Sequence, residues 1–492
     1  MPLSLLPGEH NGDHPLHTNG AAASDLGSRV HPTPAVPRVA VVGLGYVGLP
    51  TALGLFESGA TVLGIDVSRD RLQAIRNGEV DVLAQDRARL QGALDEPERF
   101  ILTDDEQKLR GADAVIVCVP TPVDSHLDPD LGLLRAACSA VVAHARPGQV
   151  IILASTSYPG CTREMLAAPL ETRGLTPGQS ICVASSPERI DPGNAAFPQR
   201  TVPRVVGGIT PECTRRAATV IGLLTPTVHA VSSPEAAEMT KLIENSFRAV
   251  NIAFANEMAE VARSLGLNIG ELIDAAATKP YGFMAFHPGT GVGGHCIPCD
   301  PHYLLWQLRV NRVEAPILSD AMTSIAQRPH DIVRQVAEMM SAVGRSMRDT
   351  RVLVVGVAYK PDVRDTRGSP ALEILGEIAD LGGRVQYHDP LVSSVSLDDR
   401  RVLMSVAKPD AAAYDVVLIH TLHREQDYTW LAEARLVVDP SGRYAAAGPR
   451  PTQQRVAAAA LVDAFEIPPV ADDGHGRRRR VAEGRAGFTI RG

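Results

Sequence analysis

The stretch RVAVVGLGYVGLP, Arg38–Pro50, runs from an apolar, largely β-branched segment into three glycines. Gly43, Gly45 and Gly48 stand in the pattern G-x-G-x-x-G directly after that segment. A β-branched run ended by glycine reads as a strand, and the spacing that follows reads as its turn into a helix. In such a turn the first glycine allows the tight bend, the second lets the backbone approach a pyrophosphate, and the third lets strand and helix pack closely. Amides at the helix start then face the phosphate charge. Tyr46 and Val47 lie inside the turn and complete the cradle. By themselves the glycines are a weak signal. A second apolar run, TVLGIDV, reaches Asp66 about twenty residues on, where a carboxylate hydrogen-bonds a ribose 2′-hydroxyl and repels a 2′-phosphate, so NAD is expected rather than NADP.

Working outward, AVIVCVP, QVIILAST and SICVASSP repeat the strand character and alternate with helical stretches. That alternation implies βαβ units and a parallel sheet. Ligands in open α/β sheets bind beyond the carboxyl ends of the strands, so Thr121, Ser155 and Thr156 should line the same crevice. A second set follows in RVLVVGVAYK, GRVQYHDP, DVVLIHT and RLVVDPS. Between the sets, SPEAAEMTKLIENSFRAVNIAFANEMAEVARSLGL keeps helical spacing for some thirty residues, with Ser233 and Pro234 in cap and first-turn positions. Met239, Ile243, Phe247, Val250, Phe254 and Met258 form its apolar stripe, and Lys241, Asn245 and Arg248 stand on another face. The expected fold is α/β, with two Rossmann-like doubly wound parallel-sheet domains joined by a long central helix. Residues 38–228 would form the NAD-binding domain, 229–330 a central helical domain, and 331–450 the second nucleotide domain. Residues 1–37 and 451–492, rich in Pro, Gly, Ala and Arg without sustained periodicity, read as disordered tails.

Composition narrows the function. Over 492 residues, 45% are hydrophobic and 21% charged, which is ordinary for a soluble protein of more than one domain. A net charge of -8 argues against nucleic acid as a partner. No run is long enough to span a membrane, the first residues do not read as a signal peptide, and seven scattered cysteines do not form a secreted disulfide framework, so a cytoplasmic protein is expected.

The chemistry concentrates in GTGVGGHCIPCDPHY, Gly289–Tyr303. His295, Cys296, Cys299 and His302 could be read as zinc ligands, but eight residues holding two prolines would have to wrap one ion almost alone. A thioredoxin-like pair needs its Cys-x-x-Cys in a much smaller fold. The remaining reading is one nucleophile, Cys296, with Gly289, Gly291, Gly293 and Gly294 clearing space for a substrate and Asp300 able to act on water or protons. Joined to an NAD fold, a cysteine nucleophile suggests oxidation through a thiohemiacetal and a thioester.

Six segments in order, VAVVGLGYVGLPTALGLFESGATVLGIDV, STSYPGCTRE, SPERIDPGN, KLIENSFRAVNIAFANE, GTGVGGHCIPCDPHYL and GVAYKPDVRDTRGSPALEIL, resemble the UDP-glucose/GDP-mannose dehydrogenase family over roughly residues 38–445. The resemblance implies NAD-dependent, four-electron oxidation of a sugar C6 alcohol to a carboxylate, with two NAD consumed. It implies Cys296 as nucleophile, Lys241 and Asn245 at the oxyanion, Asp300 and Thr156 at the hydrolytic water, and Glu188 at the reacting sugar. Arg189, Arg248, Gly293, Tyr359 and Lys360 are implied at the substrate, with Arg71 and Arg367 at the cofactor and Cys299 incidental. SPERIDPGN, TKPYGFMAFHPG and GHCIPCDP resemble the branch that acts on UDP-N-acetylhexosamines, N-acetylglucosamine before N-acetylmannosamine, with UDP-glucose the next possibility. Tyr281 stands where many relatives carry arginine, and it fits that branch. Ile325 and Ser441 depart from a family asparagine and arginine. A homodimer is implied, as is a product that feeds surface polysaccharide or a glycosylated metabolite. A nucleotide-sugar-binding regulator without turnover is the alternative of another class.

Overall fold

Arg38–Val42 forms β1, and its register against Thr61–Ile65 (β2) and Ala114–Val117 (β4) puts the glycine turn at the middle of a sheet. The computed structural model describes residues 36–80, 84–189, 197–294 and 296–444. Phe100–Thr103 (β3), Val150–Leu153 (β5), Cys182–Ser185 (β6), Arg204–Gly208 (β7) and Val228–Val231 (β8) complete the sheet, in the order β3-β2-β1-β4-β5-β6-β7-β8. The first six strands are parallel; β7 runs antiparallel to β6, and β8 parallel to β7. Both faces are covered, because alternate residues of β1 serve different cores: Val39 and Val41 join Leu49, Leu53 and Ile116, while Ala40 and Val42 join Val115, Leu134 and Leu153. Burial on both faces is why these strands read as continuous apolar runs.

The second sheet is wholly parallel, with Arg351–Val355 (β9) between Arg384–His388 (β10) and Val416–Ile419 (β13), and Val437–Val438 (β14) at one edge. Ser394–Ser396 (β11) and Val402–Met404 (β12) make a small antiparallel pair. The expectation of two sheets of this type therefore holds, with two reversed strands added to the first.

The central helix spans Pro234–Ser264, opened by Ser233 Oγ accepting from the Ala236 amide, with Pro234 in its first turn. Its two faces differ in burial. The charged and polar pair Lys241 and Asn245 is buried, at 9% and 3% exposure, whereas Ile243, Phe247 and Phe254 of the apolar stripe are about half exposed. Toward the rest of the chain the helix presents Leu242 and the small side chains of Ala237, Ala249, Ala253 and Ala259, which allow close approach. The helix Pro316–Ala342 packs beside it with Leu318, Ala321, Met322 and Ile325, then gives Ile332, Val333, Val336 and Met340 to the second sheet. The domain edge expected at residue 330 therefore falls inside a helix, and the one at 228 inside β8. The expectations for residues 1–37 and 451–492 lie outside the described residues but for Val36 and Pro37, as do the Ile190–Asn194 part of SPERIDPGN and His295.

Candidate active site

Cys296 is the first residue of the helix Cys296–Val310 and the exposed one among seven free cysteines. That helix is pinned from three sides. Gln307 Nε2 donates to the Pro159 carbonyl at 2.7 Å, and Tyr303, fully buried, directs its hydroxyl toward the Pro122 carbonyl, so one side rests on the strand ends of the first sheet. Asn245 of the central helix donates to Asp300 Oδ2 from the second side. On the third side the glycine loop meets the second sheet's domain.

That third contact corrects the reading of the glycines. A side chain on Gly293 would lie 2.7 Å from the Gly368 carbonyl oxygen and from Tyr359 Cβ; on Gly291, 2.8 Å from Pro370; on Gly294, 2.9 Å from the Tyr359 ring. These positions make room for the other domain. A side chain on Gly289 would make only an ordinary contact, 3.8 Å from the Gly291 carbonyl oxygen. Thr290 Oγ1 bonds His420 Nδ1, and the Gly294 amide donates to the Arg367 carbonyl at 3.2 Å, so the cysteine loop is interlocked with residues 359–370.

The electrostatics around the thiol follow from this packing. Protein around Cys296 raises its pKa above the ordinary thiol value and Asp300 adds to the effect, while Lys241, Arg248 and Lys360 oppose it. Those three cations come from the central helix and the second domain, so the thiol, Lys241, Asn245, Arg248, Asp300 and Lys360 share one cleft. Asp300 is buried, and burial lifts its carboxyl to about 6 against the pull of Lys241, the Asn245 hydrogen bond and Arg248. Cys299 is buried and its thiol is pushed up to about 11, by burial first and Asp300 second. Among the described residues no three His, Cys, Asp or Glu side chains converge to hold a metal ion.

The first sheet's turn fits a dinucleotide. Gly43 has φ +88°, and a side chain there would meet the Cys118 carbonyl oxygen at 2.7 Å; one on Gly48 would overlap the Gly43 oxygen. Gly45 has nothing within 4 Å, which is the open cradle a pyrophosphate needs. Asp66 is half-buried and held by the Leu44 and Ser68 amides at 2.8 and 2.9 Å, and Arg71 Nε donates to the Leu44 carbonyl at 2.9 Å. Val47 caps the first helix, Gly48–Glu57. Ser155 Oγ bonds the Val119 backbone, with Thr156 and Thr121 half-buried at adjoining strand ends. From the second domain, Tyr359 is hydrogen-bonded to Tyr46 and the Arg367 guanidinium lies 5.8 Å from the Tyr46 ring centroid, so this loop reaches the cofactor turn.

Two expected substrate residues are engaged elsewhere. Arg189 pairs with Glu244 at 2.5 Å and donates to the Pro203 carbonyl, tying the first sheet to the central helix. Glu188, 7% exposed, pairs with Arg204 at 2.6 Å. Arg204, Thr290 and His420 were not legible as site residues, because each is an isolated polar residue without a spacing signal. Ile325 is buried beside Ala249, Ala253 and Met322, where an asparagine would bury an amide in an apolar cluster. Ser441 is taken up in a turn, its hydroxyl donating to Asp439 at 2.6 Å.

A dinucleotide cradle, a second nucleotide-type domain and one reachable thiol between them define a nucleotide-dependent oxidoreductase. Residues 37–223, 235–325 and 353–445 match, in order, the NAD binding, central and UDP binding domains of the UDP-glucose/GDP-mannose dehydrogenase family, and the chain belongs to that family. It is accordingly an NAD-dependent UDP-sugar dehydrogenase, acting on a CH–OH group. Its relatives include the UDP-N-acetyl-D-glucosamine 6-dehydrogenase of Pseudomonas aeruginosa, 34% identical over 396 residues covering 79% of this chain and 91% of that protein. The UDP-N-acetyl-D-mannosamine dehydrogenase of Salmonella typhimurium is 33% identical over 403 residues, 79% of this chain and 94% of its own. Among solved structures, a UDP-D-ManNAc dehydrogenase from Pyrococcus horikoshii aligns with a TM-score of 0.72 at 32% identity, over 79% of this chain and 90% of that one.

Proposed function

We propose that the protein oxidises the C6 hydroxyl of a UDP-N-acetylhexosamine, UDP-N-acetylglucosamine in particular, to the uronic acid. The observation that carries this reading is the exposed Cys296 thiol set among Lys241, Arg248, Lys360 and Asp300 while Cys299 is buried. When bound, NAD supplies the hydride acceptor for both oxidations. Lys241 and Asn245, one helical turn apart, stabilise charge on the C6 oxygen as the alcohol becomes an aldehyde. The Cys296 thiol gives up its proton to solvent as its sulfur adds to that aldehyde, forming a C–S bond, and the same two groups hold the resulting oxyanion. Loss of a second hydride leaves a thioester on Cys296. Asp300, ionised above about pH 6, takes a proton from water oriented with Thr156; the water oxygen bonds to C6, the C–S bond breaks, and the departing sulfur takes up the proton that Asp300 received. Tyr359 and Lys360 bind the nucleotide sugar, Arg248 and the Gly293 backbone its cleft side, and Arg367 the cofactor.

Identity of 34% to the Pseudomonas aeruginosa protein and 33% to the Salmonella typhimurium protein supports a UDP-N-acetylhexosamine, and within that class the N-acetylglucosamine preference rests on Tyr281, which is largely exposed. We further propose a homodimer in which the exposed Ile243, Phe247 and Phe254 meet their counterparts, since a stripe this large is seldom left in water. Seven free thiols favour a reducing compartment such as the cytoplasm, and no described helix is long and apolar enough to cross a membrane. The test is incubation of the purified protein with NAD and a panel of UDP-sugars, counting NADH made per sugar consumed. Two supports the thioester route; one means that the reaction stops at the aldehyde, and none that the chain binds without turnover.

A further inference from the structure

One imidazole joins the two loops that meet at the thiol. His420 follows the last residue of β13, and its amide and that of Thr421 both donate to the Val355 carbonyl at 3.0 Å, so the ring stands beside the turn from which residues 357–369 depart. Both ends of that excursion come to the same ring nitrogen. His420 Nε2 lies 3.2 Å from the Ala358 carbonyl at its start and 3.2 Å from Ser369 Oγ at its close. A serine at a helix cap ordinarily accepts an amide of the first turn. Ser369 holds the cap position of the helix Pro370–Asp380 but makes no such bond, and its hydroxyl faces the ring instead. The other nitrogen, Nδ1, bonds Thr290 Oγ1, six residues before Cys296. Thr290 is 2% exposed, and the residue before it is fixed on the two long helices: the Gly289 amide donates to Asn256 Oδ1 at 3.0 Å, and Arg328 Nε donates to the Gly289 carbonyl at 2.9 Å.

These partners fix the tautomer of the ring. A carbonyl can only accept, so Nε2 carries the hydrogen and donates to Ala358, while Nδ1 accepts from the Thr290 hydroxyl. The surrounding protein lowers the ring's pKa to about 4, which keeps it neutral. We propose that His420 is a positioning residue that holds the cysteine loop in register with the Tyr359–Arg367 loop, so that the Cys296 thiol is placed by the domain carrying Tyr359 and Lys360. The glycine contacts limit how closely the two loops approach, and the directional bonds of one ring set where along each other they stop. For its kinetic readout this proposal rests on the reaction proposed above.

The experiment uses full-length protein carrying His420→Gln, Thr290→Val, Thr290→Ser, or Thr290→Val with His420→Gln, with folding checked by circular dichroism. Glutamine keeps an amide donor near the Nε2 position but offers nothing to Thr290; valine removes the hydroxyl at nearly constant shape, and serine keeps it. His420→Gln and Thr290→Val should each lower kcat roughly tenfold or more, and Thr290→Ser should stay near wild type. The double variant should be no worse than the poorer single one, because both cut the same link. Calorimetry should find the wild-type Kd for UDP in His420→Gln, whose bond to Ala358 survives; a UDP affinity that falls in step with kcat would reduce the ring to a local support of its own domain. Full kcat in Thr290→Val, serine as poor as valine, or losses that multiply in the double variant would overturn the assignment. Hydrogen exchange reads the link without turnover: Thr290→Val should speed exchange in residues 357–369 of the other domain, with serine at the wild-type rate, whereas a change confined to the cysteine loop sinks the proposal. If His420→Gln does not fold, the two Thr290 variants decide. Wild type that makes no NADH overturns the functional reading instead, and the exchange comparison still decides the role of His420.

Discussion

Gly43 in the first domain and Gly356 in the second both turn at positive φ, +88° and +79°, directly after the central strand of a parallel sheet, and each faces an aspartate at the end of the neighbouring strand. Asp66 accepts two backbone amides yet stays half-buried, with lone pairs open to a ribose. Asp389 is 2% exposed and fully used: its oxygens take the Val357, Ala358, Leu391 and Val392 amides and face His423 at 3.2 Å. Burial works against its charge, but the hydrogen bonds of His423 and the backbone outweigh it and hold its pKa below the usual carboxylate range. The connections differ too. Residues 44–47 lead straight into the first helix, whereas residues 357–369 make an excursion before the helix Pro370–Asp380 begins. That excursion carries Tyr359, Lys360 and Arg367 to the cysteine loop and the cofactor turn. One topology thus yields an open dinucleotide cradle in one domain and, in the other, a closed turn whose loop serves its neighbour.

The largest effect should come where the two domains meet. Cys296→Ser should reduce acid formation at least about a thousandfold, while Cys299→Ser keeps most of it; equal losses in an NADH assay would remove the distinction between exposed and buried thiols. Next, Gly293→Ala drives a methyl group into Gly368 and Tyr359, so activity should fall about a hundredfold with about 1–3 kcal/mol of stability lost. Gly289→Ala, whose methyl group would make only an ordinary contact at 3.8 Å, should behave as wild type in the same assay and urea titration. The aspartates then separate the two turns directly. Asp66→Ala should weaken NAD binding about tenfold and relax rejection of NADP, with less than about 1 kcal/mol lost. Asp389→Asn should leave NAD affinity unchanged and cost about 2–4 kcal/mol in urea unfolding, through amides and His423 left without an acceptor. The smallest effect is in pH. Asp300 takes up a proton as pH falls through about 6, so kcat should decline below that value and be flat above it, and Asp300→Asn should abolish the limb along with most of the hydrolysis.

Much of this arrangement could be read from residues alone. Strands β1, β2, β4, β5, β6, β9 and β13 are buried on both faces and so announce themselves as apolar runs, and the glycine turn with Asp66 carries its ligand in its spacing. The strands β3, β7 and β8 were not singled out, being short and mixed in polarity, as in RVVGG of β7. The central helix was legible only in part. Periodicity located its two faces, but that Lys241 and Asn245 are buried while Ile243, Phe247 and Phe254 stay about half exposed is set by what packs against the helix, not by its spacing. The glycine loop shows a second limit: a missing side chain signals a close approach, not what approaches. Glu188 was legible through its motif, but its partner Arg204 lies sixteen residues away, brought back by a strand reversal that no local pattern encodes.

The interlock of Gly291, Gly293 and Gly294 with Tyr359 and Pro370 has an evolutionary corollary. Neither patch can drift alone, because a bulkier residue on one side needs a smaller one opposite; any domain swap between relatives must carry both patches together or lose the placement of its thiol.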